Sequence, residues 1–377
     1  MTCVTLDPMN KNKLFRRILI GSVLLAAAGV IVFVIHHYQL RAAVNQYRAE
    51  LKAKGELVEL SQAVPPPVTP EKDGTALFLQ ALALEQTSKT MRSTSSFNIM
   101  RMVAPGKATS CAQQPDLRDA STTNFWEQLK PTGKDEEIQA LLTQLIGRPE
   151  CDFNFDYQRG FADSSSFTNL HLAQLKVNAR FLSNAGLADL HAGDLASAVT
   201  NVRAMLVLAN ATQSQRLLIS ELVGMAIASM AQNLTWEILQ SPDVTEAQLA
   251  SMEVDWGRIN FLQAYTQALV LEQHCSDITL AEWRKSNAAI EETFDLGSAD
   301  WENQPSLLDQ ATLETKIFLW RYWWSYPDEL RALRGFQILR QSAQEAAHTG
   351  AGLQIQEKQA AALNALGIVT PPVDGWD

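Results

Sequence analysis

Histidine and cysteine are scarce in this chain of 377 residues, six and four respectively. The cysteines stand at positions 3, 111, 151 and 275, and their spacing matches no zinc-ligand pattern. Also missing are G-x-S-x-G, G-x-G-x-x-G, the phosphate-cradling G-x-x-x-x-G-K, H-E-x-x-H and C-x-x-C. Each of these places a nucleophile, a phosphate-binding backbone turn or a pair of metal ligands in fixed geometry. Their absence disfavours the common hydrolases, nucleotide enzymes and zinc enzymes. No catalytic residue, cofactor or metal ligand is therefore assigned.

Positive charge is in deficit, with 31 Lys and Arg against 41 Asp and Glu, a net −10. Residues 1–17 carry Lys11, Lys13, Arg16 and Arg17 against Asp7, a balance of +3. Residues 18–38 bear no Asp, Glu, Lys or Arg, so subtraction leaves −13 on residues 39–377. A body so acidic repels phosphate backbones, which excludes nucleic acid as the expected partner.

What is present begins with an apolar run. From Ile18 to Ile35 the only polar side chain is Ser22. At about 1.5 Å per residue these eighteen residues reach about 27 Å, close to the hydrocarbon thickness of a bilayer. Residues 18–38 are thus expected to contact lipid as a single transmembrane helix. A cleaved signal peptide, with Ala26-Ala27-Ala28 as its processing site, is the competing reading. The run continues through Val30 to Ile35 beyond that site, which favours an uncleaved anchor. Basic residues abut its start and His37-Tyr38 its end, so the positive-inside rule places residues 1–17 in the cytoplasm and the body in the periplasm of a bacterial inner membrane. Arg41, Arg48, Lys52 and Lys54, just past the span, weaken that orientation.

In an oxidising compartment disulfides persist. Cys111 and Cys151 both lie in loop-like sequence and form the expected pair, and closing that loop is worth about 4 kcal/mol in the chain-entropy view. Cys275 follows an apolar helix and reads as a buried free thiol.

The body reads as all-α, with no strand pair. Residues 39–72 form a stalk helix stopped by the proline-rich "PPPVTP". Residues 73–167 carry helices between long irregular segments, with Thr132 as a candidate cap for "GKDEEIQALLTQLIG". Residues 168–377 form a helical-hairpin, repeat-like body. Its segment "SQRLLISELVGMAIASMAQNLTWEIL" is apolar on nearly every side and is expected to be a central buried element.

"NAGLADLHAGDLASAVTNVRAML" resembles a tetratricopeptide-type helix pair, with Gly186, Gly193 and Ala198 at the small-residue positions where two helices approach closely. Asp189 and Met205 depart from that pattern, and one unit is too few for a repeat array. More widely, "YRAELKAKGELVELSQAVPPPVTPEKDGTALFLQAL", "RPECDFNFDYQRG" and "ADLHAGDLASAV…LISELVGMAI" resemble a family of uncharacterised membrane-anchored helical proteins of planctomycete and verrucomicrobial bacteria. The resemblance covers about residues 15–240 and implies an envelope location and a helical fold, without an activity.

Three weak candidates for chemistry each have a plainer explanation. Glu345-Ala-Ala-His348 fits a metal-binding spacing, but no second copy accompanies it. His274 and Cys275 are adjacent on a helix and so point about 100° apart. The sequons at Asn210 and Asn233 fall inside apparent helices.

The densest feature is "FLWRYWWSYPDEL", with Trp320, Tyr322, Trp323, Trp324 and Tyr326 in seven positions. Trp320, Trp323 and Trp324 share a helix face at i, i+3 and i+4, and Pro327 is expected to end that helix. Three roles fit the five rings: a core stripe, a docking surface for a protein partner, or contact with the membrane interface. The expectation is a non-catalytic interaction or scaffold module with an unidentified protein partner. An envelope enzyme with its site around segments 92–123 or 149–167, or a binder of lipid or another apolar ligand, are the alternatives.

Overall fold

The structure is a computed structural model describing residues 8–56, 59–86, 99–104, 107–111, 130–162, 170–293, 307–350 and 352–368. Among the described residues the chain is all-α apart from one two-stranded antiparallel ribbon, β1 (Ile99–Ala104) with β2 (Lys107–Cys111). That ribbon corrects the expectation of no strand pair. It falls inside the segment read as irregular from its Ser, Thr, Pro and Gly content.

Helix α1 (Pro8–Ala53) runs unbroken for 46 residues, about 69 Å. It is the one described helix long and apolar enough to cross a membrane, and no residue of its most apolar eighteen-residue window is buried. From Phe33 onward one side of it meets the body. Phe33, His36, His37 and Leu40 are half-buried, and Val44 and Leu51 are 2% exposed. The recurrence every three or four residues is the pattern of a helix packed along one stripe. The stalk read from the sequence is therefore part of the body's core.

After α2 (Leu60–Ala63), α3 (Thr75–Glu85) pairs with α4 (Lys134–Gln144), burying Phe78, Ile138 and Leu142 completely. Asp73 Oδ1 accepts from the Thr75 N–H at 2.8 Å and so supports the start of α3. Thr132 does not cap α4. Gly133 occupies that position at φ 58, a left-handed backbone that glycine tolerates best, with no side-chain cap bond.

The centre is built by α5 (Leu172–Ala192), α6 (Leu195–Gln213) and α7 (Leu218–Leu239). Gly193, at φ 81, ends α5, and Asp194 then caps α6 by accepting from the Ser197 N–H at 3.0 Å. This is the break expected at Gly193-Asp194. At Gly186 a side chain would meet Leu234 of α7 at 2.5 Å, so the small residue admits α7, with Asn201 of α6 next nearest. The element enclosed on nearly all sides is α6: Val202, Ala204, Met205 and Leu208 have no exposed surface. Expectation had given that place to α7. Instead α7 leaves Ile219, Leu222, Met225, Trp236 and Leu239 exposed along one side, because described neighbours cover only its inner face.

Beyond α8 (Glu246–Trp256), opened by a Thr245/Gln248 capping box, comes α9 (Phe261–Lys285). Then follow α10 (Asn287–Thr293), α11 (Leu307–Leu319), a π-helical turn at Trp320–Trp324, α12 (Ser325–Thr349) and α13 (Gly352–Ala365). α12 packs on α9, on α13 and along the lower half of α1. Helices α3 to α8 share one hydrophobic cluster; a smaller one joins Ala63, Phe155, Leu170, Leu217, Leu271 and Cys275.

Candidate functional site

Pro327 lies within α12 and does not end the helix. Its ring would clash with the carbonyl four residues back, at Trp323, in a regular α-helix. The preceding turn is widened instead, and the Ser325 N–H bonds to Trp320 O, five residues back. One extra residue per turn rotates the side chains around the axis, so the five aromatic rings do not share a face.

Trp320 turns inward. Its Nε1–H donates to Asp328 Oδ2 at 2.9 Å and its ring meets Trp283 edge-on at 5.9 Å. Tyr326 is also turned in, beneath the Arg284 guanidinium 4.2 Å from its centroid and against His37 at 5.2 Å. Tyr322 and Trp323 reach across to α1: Trp323 lies 5.6 Å from Phe33 and 5.0 Å from His36, and Tyr322 lies 6.2 Å from Phe33. His37 Nδ1–H donates to the Tyr322 carbonyl at 3.0 Å, which fixes the tautomer because a carbonyl can only accept. Trp324 remains 48% exposed. The aromatic turn is thus a clasp on α1, at the level where its apolar run ends.

Further into the body stands a cluster of charges. Arg48 of α1 pairs with Asp277 of α9 at 3.0 Å and Glu329 of α12 at 2.5 Å, and Arg284 pairs with Glu329 at 2.5 Å. Burial pushes the Asp277 acid up to about 7, with Glu329 adding to the rise and Arg48 and Arg284 opposing it. Lower on α12, Gln337 donates to Glu56 Oε2 at 2.8 Å and Arg340 to the Glu56 carbonyl at 2.6 Å. Sequence reading missed all of these partners, because all but Arg284–Glu329 join residues more than two hundred positions apart.

A cleft of about 650 Å³ lies elsewhere, between Val64–Val68, residues 150–157 and the ends of α6 and α9. The irregular segment 149–167, singled out in the sequence, supplies one wall. Asn210, Gln213, Gln215, Asn260, Gln263 and Gln267 give it an amide lining suited to hydrogen bonding with a polar ligand. Arg216, held at φ 53, donates to the Ala63 carbonyl at 2.8 Å and so fixes the proline strap. Glu150 and Asp152 are the acids on its wall, and no histidine joins them among the described residues. Cys151 is a buried free thiol pushed up to about 12, first by burial and then by Asp73, which disfavours the thiolate. The expected Cys111–Cys151 bond lies half outside the described residues: β2 ends at Cys111, whose side chain is not described, and Cys151 carries no bond.

The remaining candidates fall to structural roles. Cys275 is buried as expected, its thiol also raised to about 12 by burial, with Glu272 adding to it. Glu345 holds Lys358 at 3.0 Å on the surface. His171 packs on Phe78 and Phe153, and burial lowers its pKa. Asn210 and Asn233 lie within α6 and α7, and Asn210 Nδ2–H donates to the Pro149 carbonyl at 3.1 Å.

Comparison with protein-family models, with curated proteins and with solved structures finds no match to this chain.

Proposed function

We propose that this chain is a single-pass, membrane-anchored scaffold of the bacterial cell envelope, with residues 1–17 in the cytoplasm and the helical body in the periplasm. One observation supports the reading above all. α1 passes without a break from a bare apolar surface into a seat among α9 and α12, where Arg48 is paired and Val44 and Leu51 are buried. A flexible tether would let the body drift, whereas this junction holds it at a fixed height and angle over the bilayer. The likeness to membrane-anchored helical proteins of planctomycete and verrucomicrobial bacteria, and the tetratricopeptide-like packing of α5 with α6, belong to the same proposal.

The surface offered to a protein partner is the outer side of α7. Leu222 and Trp236 are 62% and 64% exposed there, with Ile219, Met225 and Leu239 on the same stripe. An apolar helix face of this kind is the usual seat for a complementary helix.

Two measurements test the reading. Protease added to spheroplasts expressing the full chain is expected to digest the body; a body protected on the inner side overturns the compartment. A photo-crosslinking residue at Leu222 or Trp236 is expected to give one discrete protein adduct, absent when it replaces Glu253 on the exposed side of α8. A smear identical at all three positions overturns the docking role.

A further inference from the structure

The aromatic clasp has an outer side. Tyr322 and Trp323 touch α1, yet they keep 37% and 41% of their surface exposed, and Trp324 keeps 48%. Phe318 and Leu319, just before the π-helical turn, are 53% and 40% exposed. Phe318 and Tyr322 meet at 4.8 Å between ring centroids, and the five make up a ridge of large, exposed apolar side chains within seven positions. Arg321, in the same turn, is drawn inward and donates to the Trp283 carbonyl at 3.2 Å and to Asn287 Oδ1 at 2.5 Å. The ridge therefore sheds its own charge.

Its height is set by α1. The apolar run ends at Ile35, and Trp323 packs on Phe33 and His36, one residue to either side of Val34 and Ile35. At about 1.5 Å per residue, Trp323 lies within about one helical turn of the end of the span. That is the headgroup–acyl boundary, the layer in which Trp and Tyr concentrate because their rings are apolar and their N–H and O–H groups still reach water. A wholly aqueous setting would leave the ridge wet while its neighbour on α1 sits in lipid.

Resting on the reading of α1 as a membrane span, we propose that Phe318, Leu319, Tyr322, Trp323 and Trp324 form a second membrane-contacting surface. It is seated in the interface of the leaflet where α1 ends, and its ligand is the phospholipid bilayer itself. The continuity of the ridge with α1 selects lipid over a protein partner. The inference holds whichever side of the membrane the body occupies, since it depends only on depth. With the span and the ridge both engaged, the body is held at two places and cannot swing about α1.

The test uses the full-length protein in phosphatidylcholine vesicles carrying bromine either near the carbonyl end of the acyl chain or near its terminal methyl. Wild-type tryptophan emission is expected to be quenched more by the shallow bromines, and Trp323→Phe/Trp324→Phe is expected to lose most of that shallow-weighted quenching with unchanged circular dichroism. Trp323→Phe alone serves where the double variant fails to fold. Equal shallow quenching in wild type and variant, in protein that resists carbonate extraction, overturns the ridge while leaving the anchor standing. Protein released by carbonate overturns both.

Discussion

Glu221 lies on the inner side of α7, 1% exposed, and neither carboxylate oxygen has a hydrogen-bond partner among the described residues. Burial alone raises its acid from 4.5 to about 7. Asp189, desolvated and facing Asp194, rises to about 6 even though Asn201 donates to it at 2.8 Å, and Asp277 rises to about 7. Folding therefore takes up protons at these three acids between their unfolded range and about 7. The sign follows: the folded state is favoured at low pH, and stability falls as pH rises through that window. Glu221→Gln is expected to raise stability at pH 8 by about 2 kcal/mol, with little change at pH 5. Melting of the full-length protein in detergent at both pH values checks this. A variant with the same pH slope as the wild type would remove Glu221 from the account. None of the three acids could be picked out from the sequence, because nothing in "LISELVGM" distinguishes a buried glutamate from a solvated one.

Helix ends behaved differently, since their determinants lie within a turn of one another. Gly193 and Asp194 announced the boundary between α5 and α6 by residue type, as Thr245 and Gln248 announce the start of α8. Asp194→Ala is expected to cost about 1 kcal/mol through loss of the cap bond to Ser197. Gly193→Ala, forced to φ 81, should cost about the same through backbone strain alone, with no lost contact, because no atom lies within 4 Å of the added carbon. Urea midpoints of the two variants test both figures. Pro327 was the misleading signal. Proline rules foretell a break, yet the chain kept its helix by widening one turn, a solution that the clasp of Tyr322 and Trp323 on α1 favours. That same widening turned Trp320 inward and left Trp324 outward, although the i, i+3, i+4 reading had gathered Trp320, Trp323 and Trp324 on one face.

The junction of α1 and the body is the feature on which the protein's overall behaviour turns. A chain beginning at residue 39 should fold and remain soluble apart from the exposed ridge, since Val44, Arg48 and Leu51 are retained. A chain beginning at residue 57 loses all three, together with the Glu56 partners of Gln337 and Arg340. Burying the two aliphatic side chains alone is worth about 3–5 kcal/mol, so the shorter chain should melt far lower, or not fold. Equal melting temperatures would mean that α1 only leans on the body.

That the chain opens with one long apolar helix and continues as a helical body was settled by its residues in order: eighteen apolar positions, a basic start, helix formers with caps and few strand signals. These are local properties, decided within a few residues by transfer into hydrocarbon and by the helical repeat. Where α7 stays bare, which carboxylates lose their water and which rings face α1 depended on packing between distant segments. The bond from His37 to Tyr322 spans 285 positions, and no periodicity carries information across that distance. Only when the helices closed on one another did an apolar face become either core or surface, because burial belongs to a pair of elements and not to either one alone.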